Sequence, residues 1–324
     1  MRDDAAMDRA VALGASVRTT TSPNPWVGCV LEATDGRIFE GATAPPGGPH
    51  AEAAALAAAG EAARGATVWV TLEPCSHHGR TAPCADALVA AGVARVVVGI
   101  EDPDTHVSGQ GIARLRAAGI AVEVGVQADT VTEQLAPYLK HRRTGRPWVV
   151  LKLAASVDGR TAAPDGSSQW ITGVEARADA HRLRAESDAV LVGAGTVRAD
   201  DPTLTVRHVD GPDPVRVVLG KAPEDAKVRP CIEMTGDLGA ILDELGAQGI
   251  VQVLVEGGAT VAGELHRAGL VDRYVLYVAP VLFGGADARP LFAGAGAPTI
   301  ADVWRGRILS VTPLGDDLRI ELAA

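Results

Sequence analysis

A histidine, a glutamate and two cysteines in the first third of this 324-residue chain are spaced as in a catalytic metal site. His50 and Glu52 open a helical pattern, and Pro74-Cys75 and Cys84 follow downstream. Catalytic zinc takes three nitrogen or sulfur ligands and keeps a fourth position for water. His50, Cys75 and Cys84 could supply those ligands, while Glu52 could carry a proton from the water to a departing amine. The sequence therefore predicts one catalytic Zn²⁺ per chain, with Glu52 as the catalytic residue.

The spacing of the two cysteines departs from the usual zinc-deaminase signature, because eight residues separate them instead of two. That insertion moves the second thiolate to a new helical turn and adds His, Arg and Thr side chains to the pocket wall. Cysteine alone is weak evidence, since it often serves as a small buried hydrophobe. Cys29 and Cys231, which lack companion ligands, are predicted to be such buried thiols. A structural zinc in a scaffold protein is the alternative, and it would need a fourth protein ligand.

Composition indicates an enzyme of more than one domain, because 324 residues exceed the usual length of one domain and 47% of them are hydrophobic. The net charge of −10 argues against binding to nucleic-acid phosphates. The sequence shows neither a secretory leader nor an apolar run of membrane-spanning length, and four cysteines are too few for a disulfide scaffold. We therefore expect a cytoplasmic enzyme with a small-molecule substrate, no nucleic-acid partner and no membrane partner.

The elements that must position these residues follow an α/β pattern, in which Ala-rich helical segments end in glycine before aliphatic runs. The pattern predicts a helix over 3–17, a hairpin turning at Asp35-Gly36 and a helix from residue 50. It predicts strands near 66–72, 95–100 and 120–126, with helices on both faces of the sheet and the metal between helix starts. The basic segment 138–147 indicates a solvated connector before a strand over 148–153, which divides the chain into domains 1–145 and 146–324.

Longer motifs add a family resemblance. Residues 71–84, Thr-Leu-Glu-Pro-Cys-Ser-His-His-Gly-Arg-Thr-Ala-Pro-Cys, resemble the deaminase half of the bifunctional riboflavin-biosynthesis deaminase/reductase family. Five separate motifs within 152–258, among them Lys-Leu-Ala-Ala-Ser-Val-Asp-Gly from residue 152 and Val-Glu-Gly-Gly from residue 255, resemble the reductase half. The resemblance covers nearly the whole chain. It implies an N-terminal cytidine-deaminase-like three-layer domain and a C-terminal dihydrofolate-reductase-like domain, with NADPH as second cofactor and a homodimer or homotetramer as the assembly.

The same resemblance implies a reaction and site residues. A zinc-dependent hydrolytic deamination of 2,5-diamino-6-(5-phosphoribosylamino)pyrimidin-4(3H)-one would be followed by NADPH-dependent reduction of the ribosyl group to ribityl. The deaminase substrate would contact Asn24, His77, Arg80, Thr81 and Asp102. The reductase substrate would contact Ser168, Arg184, Leu204, Arg207 and Glu256. NADPH would contact Ala154, Trp170, Thr196, Asp200, Gly258, Ala259 and Thr260, of which the last three form a strand-to-helix turn that favours an anion.

Several positions depart from the family pattern. Thr43 stands where a histidine is common, and Asp104 stands where an asparagine is common, so that a carboxylate would face the substrate phosphate. The stretch between Leu219 and Val251 is shortened, and Lys221 within it could approach the 2′-phosphate of NADPH. Lys152 has no assigned role and could form a buried pair with Glu256. These departures keep an alternative open, in which the zinc deaminase acts on another nucleotide or a nucleic-acid base and the second domain is degenerate and non-reducing.

Overall fold

Helices that end at glycine and lead into aliphatic strands recur along the chain, as the sequence predicts. Gly92, Gly119, Gly249 and Gly269 each lie at a helix end with φ between +64° and +85°, a left-handed conformation that glycine adopts without a Cβ penalty. The computed structural model describes residues 1–76, 83–104 and 107–323. The chain divides into two units, Met1–Gly145 and Arg146–Ala324.

The first unit is an α/β sandwich built on one sheet. Among its described residues the helices are α1 (Asp3–Ser16), α2 (Arg18–Thr21), α3 (Ala51–Ala59), α4 (Cys84–Ala91), α5 (Gln110–Ala117), α6 (Ala128–Gln134) and α7 (Ala136–Thr144), with a 3₁₀ turn at Gly60–Ala63. The strands are β1 (Gly28–Glu32), β2 (Ile38–Ala42), β3 (Thr67–Leu72), β4 (Arg95–Ile100) and β5 (Ala121–Val124), in the sheet order β2-β1-β3-β4-β5. The predicted helix over 3–17, the hairpin and the strands are confirmed.

Two glycines show that helices flank both faces of this sheet. A Cβ on Gly28 would lie 1.9 Å from the carbonyl oxygen of Ala10 in α1, and a Cβ on Gly41 would lie 2.1 Å from that of Ala51 in α3. Gly41 pairs with Cys29, the neighbour of Gly28 in β1. Because adjacent strand residues point to opposite faces, α1 and α3 pack on opposite sides of the sheet. The close approach of both helices requires glycine at these two positions.

The prediction of a solvated connector over 138–147 is wrong for most of that segment. Residues 136–144 form α7, which ends at Gly145 with φ +74°. Tyr138 and Leu139 are buried in this helix, whereas Arg142 and Arg143 lie in its last turn, where cations are favoured by the helix dipole. The basic composition of the segment therefore reflects the end of an amphipathic helix, and the link to the second unit is short.

The second unit carries helices α8 (Val174–Ala185), α9 (Ala194–Asp200), α10 (Leu238–Ala247) and α11 (Ala259–Arg267) in its described part. Its strands are β6 (Trp148–Ser156), β7 (Arg160–Ala162), β8 (Ala189–Gly193), β9 (Val215–Leu219), β10 (Ile232–Met234), β11 (Gln252–Val255), β12 (Arg273–Ala279), β13 (Arg289–Pro290), β14 (Arg307–Leu314) and β15 (Asp317–Ala323). The main sheet has the order β10-β9-β8-β11-β6-β12-β15-β14, and β13 pairs with β7.

The central strands of the main sheet of the second unit are buried on both faces. Val149 and Leu151 of β6 belong to one apolar cluster, and Val150 between them belongs to another. Such burial is typical of parallel strands, and the strands from β10 to β12 are parallel to one another. The carboxyl ends of β9, β8 and β11 consequently lie side by side. Ligands of open parallel sheets bind at this edge.

No helix in the described part of the chain combines the length and the apolar character that a membrane span needs.

Candidate active sites

The predicted metal ligands meet in the first unit at the ends of three elements. His50 immediately precedes α3, Cys75 follows β3, and Cys84 is the first residue of α4. Nδ1 of His50 lies 3.6 Å from Sγ of Cys75 and 3.4 Å from Sγ of Cys84. The ligand atoms of the three residues all lie within 4.8 Å of one another. The structure therefore brings together the predicted ligands between two helix starts.

The electrostatics of this cluster suit a cation with soft ligands. The backbone N–H of Cys84 donates to Sγ of Cys75 at 3.3 Å. Hydrogen bonding from Cys84 lowers the pKa of the Cys75 thiol to about 4, whereas the same interaction and burial raise the pKa of Cys84. Cys75 is thus the more acidic thiol of the pair, and it lies beside the His50 imidazole. Thiolate and imidazole in a compact set of three are donors that zinc prefers.

Glu52 lies next to this cluster in the first turn of α3. Its side chain is buried, and burial raises the pKa of its carboxyl group to about 7. It lines a cavity of about 200 Å³ together with His50 and Cys75. A carboxyl group that can hold or release a proton near neutral pH is suited to general acid–base work. The geometry thus places a proton carrier beside the three ligands.

The same cavity contains part of the predicted deaminase substrate site. Asn24 and Asp102 line it, whereas His77, Arg80 and Thr81 lie outside the described residues. The hydroxyl group of Tyr138 donates to the carboxylate of Asp102 at 3.1 Å, and burial raises the pKa of Asp102. Thr43 also lines the cavity, and its Oγ1 accepts the backbone N–H of Val27 at 3.1 Å.

The second unit holds a cavity of about 900 Å³ at the carboxyl ends of β8, β9 and β11. The backbone N–H of Gly258, which precedes α11, donates to Oγ1 of Thr196 at 3.2 Å. Residues 258–260 at the N-terminus of α11 line the cavity, and a helix N-terminus favours an anion. Of the residues assigned by resemblance to the reductase, seven line this cavity: Ser168, Thr196, Asp200, Glu256, Gly258, Ala259 and Thr260.

Glu256 joins the cavity to a buried cluster of charges. Arg184 Nη2 donates to Glu256 Oε2 at 3.1 Å, and Lys152 Nζ lies 3.4 Å from the same oxygen. Burial alone would raise the pKa of Glu256, but the two cations outweigh it and hold this pKa at about 2. The predicted pair of Lys152 with Glu256 is confirmed. Two cations around one carboxylate leave an excess positive charge near the cavity.

The remaining reductase residues lie around this cluster or away from the cavity. Arg184 donates to the carbonyl of Thr205 at 3.1 Å, and Arg207 donates to the hydroxyl group of Thr205 at 3.0 Å, so the two arginines converge on one segment. Leu204, in the same segment, is buried with φ +56°. Neither Ala154 nor Trp170 is among the described residues that line the cavity. Trp170 is 69% exposed, with the Arg177 guanidinium 4.7 Å from its ring centroid.

Comparison with known proteins identifies the family. The model of the RibD C-terminal domain matches residues 147–320, and the model of the cytidine and deoxycytidylate deaminase zinc-binding region matches residues 1–100. The riboflavin biosynthesis protein RibD of Escherichia coli is 41% identical over 366 residues, covering 99% of both chains. The chain belongs to the RibD family. It is therefore an enzyme with a deaminase and a reductase activity in riboflavin biosynthesis, and its two domains fit Zn²⁺ and NADPH.

Solved RibD structures agree with this fold over the whole chain. Acinetobacter baumannii RibD, in its first crystal form, superposes with a TM-score of 0.93 at 41% identity, covering 99% of this chain and 98% of that one. The Thermotoga maritima diaminohydroxyphosphoribosylaminopyrimidine deaminase/5-amino-6-(5-phosphoribosylamino)uracil reductase superposes with a TM-score of 0.89 at 33% identity and the same coverage. The expected cytidine-deaminase-like and reductase domains are thus confirmed.

Several polar residues of these RibD cavities were not predicted from the sequence. The Glu73 carboxylate accepts the N–H groups of Asp102, Gly109 and Ile112 and so holds the loop that carries Asp102. Arg142 and Tyr138 of α7 line the deaminase cavity. Arg198 and Arg289 line the reductase cavity. The local sequence signal for Glu73 is its position, a carboxylate between an apolar strand and Pro74-Cys75.

The prediction that the two remaining cysteines are buried thiols is confirmed for Cys29, whereas Cys231 is only half-buried.

Proposed function

We propose that the chain deaminates 2,5-diamino-6-(5-phosphoribosylamino)pyrimidin-4(3H)-one to 5-amino-6-(5-phosphoribosylamino)uracil and then reduces the ribosyl group to ribityl. The observation that carries the proposal is the convergence of His50, Cys75 and Cys84 beside the buried carboxyl group of Glu52 in one cavity. The two activities by which the Thermotoga maritima relative is named support the choice of both substrates. We assign the deamination to residues 1–145 and the reduction to residues 146–324, and we infer a homodimer or homotetramer.

In the deaminase site, His50, Cys75 and Cys84 would hold the metal. Zinc bound by such a set supplies the Lewis acidity that makes water nucleophilic near neutral pH. Glu52 takes a proton from the attacking water and gives it to the amino group, so that a C–O bond forms, the C–N bond breaks and ammonia leaves. Burial raises the pKa of this carboxyl group, which favours its acting as a proton acceptor and then as a proton donor. Asn24 and Asp102 orient the pyrimidine, with His77, Arg80 and Thr81 completing the site.

In the reductase site, Gly258, Ala259 and Thr260 at the start of α11 bind a phosphate of NADPH. Thr196 and Asp200 of α9 line the same cavity and would add to the cofactor site, whereas Ala154 and Trp170 are assigned to it by the family resemblance alone. NADPH supplies the hydride for the anomeric carbon of the ribose, which we expect to react in its open-chain imine form. Ser168, Arg184, Leu204, Arg207 and Glu256 bind the sugar phosphate. The excess positive charge of the cluster around Glu256 favours that anion.

The decisive experiment follows NADPH oxidation by the zinc-loaded chain with the diaminopyrimidine ribosyl phosphate as sole substrate. Oxidation that depends on this substrate requires both activities in series, because only the deaminated product accepts hydride. Oxidation that fails with the original substrate and also with purified deaminated product would refute the reductase assignment and favour a degenerate second domain.

The variant Glu52→Gln separates the two steps. It should release no ammonia while zinc remains bound, and it should still oxidise NADPH when the deaminated product is supplied. Glu61→Gln, at an exposed carboxylate in the 3₁₀ turn that follows the same helix, serves as the matched control and should leave both steps unchanged. Full deaminase turnover in Glu52→Gln would remove Glu52 from the mechanism.

A further inference from the structure

The deaminase cavity is rich in carboxyl groups for a site that must accept a phosphate. Four acidic side chains line it, namely those of Glu52, Glu73, Asp102 and Asp104. Among the described lining residues, Arg142 is the side chain with a permanent positive charge. A phosphorylated substrate would meet repulsion at Asp104 unless a cation offset this carboxylate, because like charges a few ångströms apart repel strongly when partly desolvated. Arg142 is placed to offset it.

The last two turns of α7 place Arg142 at this cavity. Tyr138 and Arg142 are four residues apart and so share one face of the helix. The hydroxyl group of Tyr138 donates to Asp102, and the guanidinium carbon of Arg142 lies 5.1 Å from the Tyr138 ring centroid. Nε of Arg142 lies 3.8 Å from Oδ2 of Asp104. The helix is thus fixed to the cavity wall through Asp102, with Arg142 beside Asp104.

The contact between Arg142 and Asp104 leaves the guanidinium able to bind a second anion. At 3.8 Å the pair is a loose ion pair, and the side chain of Arg142 remains 30% exposed. A guanidinium group carries five N–H donors in a planar fork, which matches the oxygens of a phosphate as well as those of a carboxylate. One arginine can therefore neutralise Asp104 and receive the substrate phosphate.

We propose that Arg142 is a substrate-binding residue of the deaminase step, which binds the 5′-phosphate and offsets the charge of Asp104. This inference rests on the function proposed above. It assigns to α7 a part in substrate selection, in addition to Arg80, which the resemblance assigns to the substrate. It also explains how an aspartate is compatible with phosphate binding at a position where the family commonly has asparagine.

The test compares Michaelis constants for ammonia release by Arg142→Ala, Asp104→Asn and the double variant. Loss of a charge-assisted contact to the phosphate should raise the KM of Arg142→Ala about 10- to 100-fold, with kcat nearly unchanged. In the double variant part of the loss should be recovered, because repulsion between the Asp104 carboxylate and the phosphate is gone. The KM of the reductase step with purified deaminated product should not change.

Arg143→Ala is the matched control, because Arg143 lies in the same helical turn, is exposed and is not among the described residues lining the cavity. It should leave KM unchanged, and Arg142→Lys should retain part of the affinity. Zinc content and circular dichroism establish that each variant is folded. An Arg142→Ala variant with unchanged KM, or one that lowers kcat alone, would overturn the inference. A wild-type chain that releases no ammonia from this substrate would overturn the proposed function and the inference with it.

Discussion

Replacement of Glu256 by glutamine should destabilise the second unit and leave the first intact. The carboxylate lies between Lys152 and Arg184, and its side chain is 9% exposed, so that water screens the three charges little. Its pKa falls from the ordinary value of 4.5 to about 2. A shift of one pKa unit corresponds to roughly 1.4 kcal/mol, which gives about 3 kcal/mol for the ionised form. Removal of one partner from a buried ion pair has a cost of similar size.

The pH dependence of this stabilisation has a definite sign. Because the pKa of Glu256 is lower in the folded chain than in the unfolded chain, the stabilisation is fully present above pH 4.5. It is lost progressively as the pH falls from 4.5 towards 2. The difference in unfolding free energy between the wild type and Glu256→Gln should therefore be constant near neutrality. It should shrink in the acid range, where the wild-type carboxylate becomes protonated.

Native-state hydrogen exchange measures this effect separately in each unit. Strand β6 carries Lys152, and β11 ends directly before Glu256. Amides of both strands should lose about 3 kcal/mol of protection in the variant, since this is the loss worked out above. Amides of β3 and β4 in the first unit serve as the internal control and should keep their protection. Equal protection of β6 and β11 in the wild type and the variant would refute the reasoning, as would an equal loss in both units.

Two further predictions concern the cofactors. Lys221 lines the reductase cavity, and its Nζ lies 4.0 Å from Glu233. Lys221→Ala should raise the KM for NADPH about 2- to 5-fold through loss of an exposed contact to the 2′-phosphate, whereas Lys227→Ala should not. An equal effect on NADH, which lacks that phosphate, would exclude the contact. Removal of zinc by a chelator should abolish ammonia release and leave NADPH oxidation with the deaminated product intact, and a loss of both activities would show that zinc also supports the second unit.

The elements and the metal site could be predicted because their signals are local. A glycine that ends a helix and the aliphatic run that follows it are neighbours in sequence, and so are His50 and Glu52. Each metal ligand lies near the end of a helix or a strand, where a short motif indicates both the ligand residue and the end of the element. The identity of the ligands therefore follows from residues that are close in the chain, although their contact is made in three dimensions.

The cavity walls could not be predicted in the same way. The three N–H groups that bind Glu73 come from the loop after β4 and from α5, and this pairing depends on the packing of elements far apart in sequence. The basic composition of the segment at 138–147 cannot distinguish a connector from the last turns of a helix. Burial of Tyr138 decides between them, and burial is a tertiary property.

In both cavities, cationic side chains offset the charge of an acidic residue. In the first, a phosphate must be accepted near carboxyl groups that the chemistry requires, and a helix from the end of the unit supplies Arg142. In the second, the carboxylate of Glu256 lies at the cavity, and Lys152 and Arg184 overcompensate its charge. In both cases the cations come from elements distant in sequence from the acidic residue that they offset. Substrate affinity in this chain should therefore depend on how these helices and strands pack against one another.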